Sequence, residues 1–318
     1  MEKVVLITGT NGFIFSNFVR SLIDKYPKYR FIGIDKIVSP YNLKNTYKHP
    51  RYTFYMGDIT DKHFINNVFE LEKPDTVIHG AAESFVGSSI ISAEVFVSSN
   101  IVGTQVMIDV SLKHKIDRFI YCGTDEVMGQ LQIDEKPWTE EAQMKPRNPY
   151  AATKACGELL VYAASETHSL KYNITRSCNN FGPRQMPRNL VPKCITSILN
   201  NKPIPIHGQG KELREWIYVL DNCSAIMKIA EAAPYNEIYN IGSDFECSNL
   251  EMAYKIGDIL GVKNPEINFV NDRPTNDRRY FLDCSKIKKL GWNTEYDFDR
   301  GLTQCVNWYL ENRNFYDC

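Results

Sequence analysis

"LITGTNGFIFSN", residues 6–17, decides how the first half of the chain is read. An apolar run stops at Gly9, Gly12 follows three residues later, and the rhythm asks for a third small residue where Phe15 stands. Gly9 permits a tight turn after a strand, and Gly12 lets the backbone approach a pyrophosphate at the N-terminus of the next helix. The third glycine of such turns serves close helix–strand packing, so Phe15 predicts a disturbed helix placement rather than a lost phosphate contact. A plain strand–helix junction accounts for the turn equally well until position 35 is added. "FIGIDK" ends a second strand on Asp35, 23 residues past Gly12. A carboxylate there accepts both ribose hydroxyls of a dinucleotide and repels a 2′-phosphate, which favours NAD over NADP. Asp35 alone also reads as a helix cap; the order strand, turn, helix, strand, acid reads as a cofactor site.

Outward from this turn, short apolar runs alternate with amphipathic stretches. Residues 3–8, 30–35, 52–58, 75–82, 117–124 and 173–178 read as strands, apolar on both faces as in a covered parallel sheet. Residues 12–25, 60–72, 93–114 and 149–168 carry helical spacing. The alternation predicts an α/β fold, a doubly wound parallel sheet over 1–181. After Phe181, "FGPRQMPRNLVP" is punctuated by proline and glycine and reads as a crossing loop. Strands at 203–206 and 215–220 and helices near 222–232, 249–261 and 301–312 predict a smaller α+β lobe over 182–318 that can send a segment back to the sheet.

Composition bounds the function. The chain of 318 residues has a net charge of −1, with basic residues scattered, which gives no electrostatic reason to expect a nucleic acid or an acidic membrane as partner. Nine cysteines lie singly at 122, 156, 178, 194, 223, 247, 284, 305 and 318, without C-x-x-C or zinc spacing, so they read as reduced thiols and no metal site is expected. "MEKVVLIT" enters a strand directly and no later run reads as long enough to span a bilayer, so the sequence reads as cytoplasmic.

Two further stretches carry chemistry. "YCGTDEVMG" (121–129) follows a strand, and "NPYAATK" (148–154) opens a helix that sets Tyr150 and Lys154 one turn apart on one face. A neighbouring ammonium lowers a phenol's pKa toward use as a base, and Lys154 can also reach a nicotinamide ribose. Adjacent Asp125 and Glu126 resist double ionisation, which raises one pKa. Successive strand residues point to opposite faces, so both acids can enter one pocket only if the chain leaves the sheet by about Asp125, with Gly129 helping it turn. A solvated loop is the alternative for the acid pair, and a solvated helix pair the alternative for Tyr150 and Lys154.

The blocks "GTNGFI", "GDITD", "HGAAES", "NIVGT", "GTDEV", "YAATKA", "CNNFGPRQMP", "IHGQGKELREWIYVLDN", "YNIGS" and "DRPTNDRRY" stand in the order of the extended short-chain dehydrogenase/reductases, and the chain resembles their nucleoside-diphosphate-sugar 4,6-dehydratases. The resemblance implies a C4 oxidation, loss of water across C5–C6 and hydride return to C6. It gives Tyr150 the proton of the 4-hydroxyl, Thr124 a hydrogen bond to the 4-oxygen, Glu126 the C5 proton and Asp125 the protonation of the departing 6-hydroxyl. It implies NAD contacts from Gly9, Asn11, Gly12, Phe13, Ile14, Asp35, Lys36, Asp58, Ile59, Ala81, Ala82, Tyr150 and Lys154. Ser84 and Thr124 would face the sugar, Asn179 and Arg214 the diphosphate, and Asn249 and Arg279 the nucleoside of a UDP- or dTDP-hexose. An ion pair with Asp272 or Asp277 is the alternative for Arg279. Related C4-epimerases and UDP-glucuronate decarboxylases lack the aspartate at position 125, because they expel no C6 water. A binder of nucleotide sugars without turnover is the reading from another class. Pairing through the helices near 93–114 and 149–168 would give a homodimer.

Departures from the family pattern are local. Dehydratases for dTDP-glucose read "AAESHVDRSI" where this chain has "AAESFVGSSI" (81–90), and a usual Glu-Lys is Arg188-Asn189 here. The uncharged 85–88 loop is expected to leave room for a larger sugar substituent such as the 2-acetamido group of UDP-N-acetylglucosamine. Met128 replaces a usual tyrosine, a packing exchange.

Overall fold

The computed structural model describes residues 2–316; Cys318 lies outside them. Strands β1 (Lys3–Thr8), β2 (Tyr29–Asp35), β3 (Tyr52–Met56), β4 (Thr76–His79), β5 (Arg118–Thr124) and β6 (Tyr172–Ser177) form where the apolar runs predict them. Between them stand α1 (Phe13–Leu22), α2 (Pro40–Lys44), α3 (Lys62–Glu72), α4 (Val86–Ile91), α5 (Glu94–Val97), α6 (Gly103–Lys113) and α7 (Pro149–His168). Alternate residues of β1 feed opposite cores: Val5 and Ile7 pack with α1, Leu6 with α3 and α6.

The second half begins with β7 (Asn179–Phe181), α8 (Leu190–Leu199), β8 (Ile204–His207), β9 (Leu213–Tyr218) and α9 (Val219–Ala232). It continues through β10 (Glu237–Ile241), β11 (Glu246–Ser248), α10 (Asn249–Ile259), β12 (Ile267–Val270), β13 (Arg279–Tyr280), α11 (Ser285–Lys289) and α12 (Phe298–Glu311). The large sheet runs β10-β6-β5-β4-β1-β2-β3, with every pair parallel. Its seventh strand, β10, returns from the second half, and α9 packs back on α1. A cut at residue 181 therefore divides the chain but not the sheet. The smaller lobe is built on β9, flanked by β7, β11 and β13, over a core of Phe181, Cys194, Trp216, Met252, Leu302 and Tyr309.

Residues 94–113 form one helical run of 20 residues with mean hydropathy 1.4, long and apolar enough by composition to cross a membrane, contrary to the sequence expectation. It is 56% buried, its inner face packing on α3 and α7. A π-helical turn, Ser98–Val102, interrupts it; Asn100 bonds Glu83 in the loop after β4, and Ser99 accepts from Lys36.

Phe15 does not displace α1. It is 4% exposed, and its ring lies where a Cβ on Gly80 would stand 1.8 Å from it. The small residue that lets helix and sheet approach has moved from the helix to the end of β4.

Candidate active site

Strand order reverses between β1 and β4, and the cleft opens beyond their C-terminal ends, as ligand crevices do in such sheets. Its volume is about 620 Å³, and it extends from Asp35 through Lys154 to Arg273 in the smaller lobe.

At one end, Gly9 takes φ +82° with the Ala81 backbone 3.0 Å from the place of a Cβ, so only glycine fits. Thr8 Oγ1 accepts the N–H groups of Gly80 (3.1 Å) and Ala81 (3.0 Å), tying the loop after β4 to the end of β1. Buried His79 bridges Thr8 and Thr104, and burial drives its pKa down to about 3, so it is neutral. Asp35 accepts the Asn11 N–H at 2.8 Å and faces the cleft beside Gly9, Gly12, Phe13, Ile14, Lys36, Ile59, Ala81 and Ala82. A bare backbone at the turn with a carboxylate beyond it fits a dinucleotide. Two expected cofactor residues stand back from the cleft. Asn11 acts through its backbone, its carbonyl held by Asn42 and Asn45, and Asp58 turns its carboxylate onto Thr60.

The candidate reaction centre lies where β5 ends. The chain leaves the sheet at Asp125 into a single 3₁₀ turn, Asp125–Met128, closed by Gly129 at φ +86°. That exit turns both acids into the cleft. Thr124 Oγ1 donates to Asp125 at 3.2 Å and accepts the Glu126 N–H at 3.4 Å. Asn148, the N-cap of α7, accepts the Ala151 N–H at 2.8 Å and donates from Nδ2 to Glu126 at 2.8 Å. The Tyr150 hydroxyl lies beside Thr124 in the cleft and in the field of both carboxyls. Lys154 Nζ donates to the Cys122 carbonyl at 2.7 Å.

Electrostatics separate the two acids. Burial and the nearby Glu126 and Glu215 hold the Asp125 pKa well above the ordinary carboxylate value, and Asp125 Oδ2 is buried with no partner among the described residues. Burial raises Glu126 too, but Asn148, Arg214 and Arg273 pull it back toward ionisation. Asp125 is thus raised by burial and by its carboxyl neighbours, while Glu126 has a hydrogen-bond donor and cations that oppose its rise. The tyrosine differs from expectation: burial and the two carboxyls push its phenol up, while burial pushes Lys154 down to about 8. Lys154 here spends its charge on Cys122.

In the smaller lobe Asn179, Arg214 and Asn249 line the cleft, with Ser84 facing them from the loop after β4. Arg214 is held by the Leu213 carbonyl at 2.8 Å and by Asn276 at 3.3 Å. Arg279 does not join them. It begins β13, pairs with Glu246 at 2.9 Å and donates to the Ile133 and Glu135 carbonyls. The ion pair is real, but its partner is neither Asp272 nor Asp277. Arg273, in the loop before β13, faces the cleft instead, with Lys193 and Asn276. Sequence reading passed over these three and Asn148; an Asn-Pro pair just before Tyr150 is a helix-start signal that marks Asn148. The space over Gly87 holds the Phe85 ring, 3.2 Å from the place of a Cβ.

The sequence model of the GDP-mannose 4,6 dehydratase family matches residues 6–305. The low-salt glycan biosynthesis protein Agl12 of Haloferax volcanii is 45% identical over 96% of this chain and 98% of its own. The dTDP-glucose 4,6-dehydratase of an Actinoplanes strain is 39% identical over 98% and 99%. Among solved structures, the dTDP-glucose 4,6-dehydratase DesIV of Streptomyces venezuelae, crystallised with NAD, superposes with a TM-score of 0.93 at 37% identity, covering 99% of both chains. Matched from its glycine turn to its last long helix, the chain belongs to the GDP-mannose 4,6 dehydratase family, the nucleoside-diphosphate-sugar 4,6-dehydratases among the extended short-chain dehydrogenase/reductases.

Proposed function

We propose that the protein is an NAD-dependent nucleoside-diphosphate-hexose 4,6-dehydratase, a hydro-lyase that makes the 4-keto-6-deoxy sugar. One observation carries this reading: Thr124, Asp125, Glu126 and Tyr150 meet at one point of a cleft whose far end is a dinucleotide turn.

Gly9, Gly12 and the N-terminus of α1 would hold the pyrophosphate, Asp35 the adenosine ribose and Lys154 the nicotinamide ribose. When bound, the dinucleotide would supply the acceptor for hydride from C4 and the donor that returns it to C6. Tyr150 receives the proton of the 4-hydroxyl while Thr124 orients the oxygen. Because burial raises the phenol in the open cleft, Tyr150 becomes a base only when Lys154 turns its ammonium from Cys122 toward the reacting end. With a ketone at C4, Glu126 removes the acidified C5 proton. Asp125, kept protonated, donates to the departing 6-hydroxyl, and water leaves. Arg214, Arg273 and Lys193 supply cationic donors for a diphosphate, with Asn179 beside them.

A C4-epimerase is disfavoured because Asp125 would then have nothing to protonate. Incubation with UDP- or dTDP-glucose followed by mass spectrometry tests the reading: a product lighter by one water supports it, and an isomer of unchanged mass contradicts it.

Two copies would associate through α4, the 94–113 run and α7, where Ile91, Val95, Val97, Val102, Leu159 and Tyr162 are exposed on one subunit. We place the enzyme in the cytoplasm, where the free thiols, six of them buried, stay reduced.

A further inference from the structure

Three positions at which the chain departs from the dTDP-glucose pattern form one packed unit. Phe85 stands at the N-cap of α4, and its ring folds over Gly87. On that ring lies the Arg188 guanidinium, 4.5 Å from the centroid. Phe85 belongs to the sheet half and Arg188 to the loop before α8, so the stack bridges the two halves across the cleft they both line. Stacking uses the face of a guanidinium and leaves the N–H donors on its edge available. Among the described residues Arg188 has no hydrogen bond or ion pair, and the carboxylate that acts on it, Glu83, is itself paired with Lys36 at 3.2 Å.

The bridge is registered to the reaction centre. Ser89 of α4 accepts the Tyr150 N–H at 3.3 Å. A hexose with C4 at Tyr150 and C5–C6 at the acid pair carries C3 and C2 on the other side of C4. Its diphosphate leaves C1 toward Arg214. Ser84, Phe85 and Arg188 line the same cleft as Tyr150 and the acid pair.

We propose that the Gly87–Phe85–Arg188 unit determines specificity at C2 and C3 of the sugar. Arg188 donates to the two hydroxyl oxygens, and the Phe85 ring, seated in the space that Gly87 provides, bars a bulky C2 substituent. The substrate class is then a nucleoside-diphosphate hexose with free 2- and 3-hydroxyls, not a 2-acetamido sugar. This rests on the dehydratase reading but fails separately from it.

The test measures kcat, KM and calorimetric affinity with UDP-glucose, its 2-deoxy analogue and UDP-N-acetylglucosamine for the wild type, R188A and F85A. R188A is expected to lose 10- to 50-fold in kcat/KM on UDP-glucose, mainly through KM, and only about 3- to 7-fold on the 2-deoxy analogue, which keeps the 3-hydroxyl contact alone. F85A is expected to raise the ratio of N-acetylglucosamine to glucose use at least 10-fold. Equal losses on both glucose substrates, or wild-type preference for the acetamido sugar, would overturn the proposal while leaving the dehydratase reading intact. If no hexose yields a dehydrated product, that reading fails, and the same ratios taken from binding affinities decide the proposal.

Discussion

Asn148 Nδ2 donates to Glu126 at 2.8 Å while the Oδ1 of the same side chain caps α7. One residue thus starts the helix that carries Tyr150 and Lys154 and fixes the carboxylate proposed to take the C5 proton. Asn148→Ala should cost about 1 kcal/mol of stability as a lost cap. It should also raise the Glu126 pKa by removing a hydrogen bond to the ionised form. As the proposed base Glu126 must be ionised, so activity should fall as pH drops through its pKa, and the acid limb of kcat/KM should move to higher pH. An unmoved acid limb would separate Asn148 from the base.

In the proposed reaction Glu126 and Asp125 act in sequence, and two isosteric variants separate them. Glu126→Gln should abolish exchange of the C5 hydrogen with solvent deuterium as well as dehydration. Asp125→Asn should retain that exchange and lose water elimination by 100-fold or more, within the range of one general acid. Proton NMR in heavy water reads both; loss of exchange in both variants would merge the two roles.

Lys154 is expected to set the alkaline side. Its ammonium, lowered to about 8 by burial, is present below that pH and lost above it. A group needed in its charged form therefore gives a rate that declines as pH rises through the same region. Lys154→Met should lower kcat/KM throughout and flatten that limb, and a limb surviving unchanged would assign it to another group.

Phe15 and Gly80 are complementary in volume. Gly80→Ala should cost roughly 1–3 kcal/mol by overpacking, and Phe15→Ala roughly 3–5 kcal/mol by leaving a cavity. The double variant should be markedly more stable than the sum of the two, because each change relieves the other. Additive losses in urea unfolding would mean that the ring does not fill the space at Gly80.

These pairs mark what a linear reading reaches. The strand alternation, the glycine turn with Asp35, the helix starting at Pro149 and the exit of the chain at Asp125 are local patterns, and they stand in the structure as read. β10 has five residues and owes its place to pairing with β6, more than sixty positions earlier, so no local period announces its return to the sheet. "NDRRY" offers two adjacent arginines and "DRPTN" a third; only the start of β13 at Arg279 shows which is spent on Glu246 and that Arg273 faces the cleft. Phe85 and Arg188 are legible as separate oddities, and their contact is a product of the fold. The direction of the Tyr150 shift was missed because burial, which outweighs the neighbouring ammonium, is not written in a spacing of four residues.

The central claim is that one cleft oxidises C4 and reduces C6 of the same sugar. The direct measurement follows deuterium placed on C4 of UDP- or dTDP-glucose. The label is predicted at C6 of a 4-keto product lighter by one water, transferred within a single molecule. Deuterium remaining at C4 of an isomer of unchanged mass, or product without label at C6, would contradict the account.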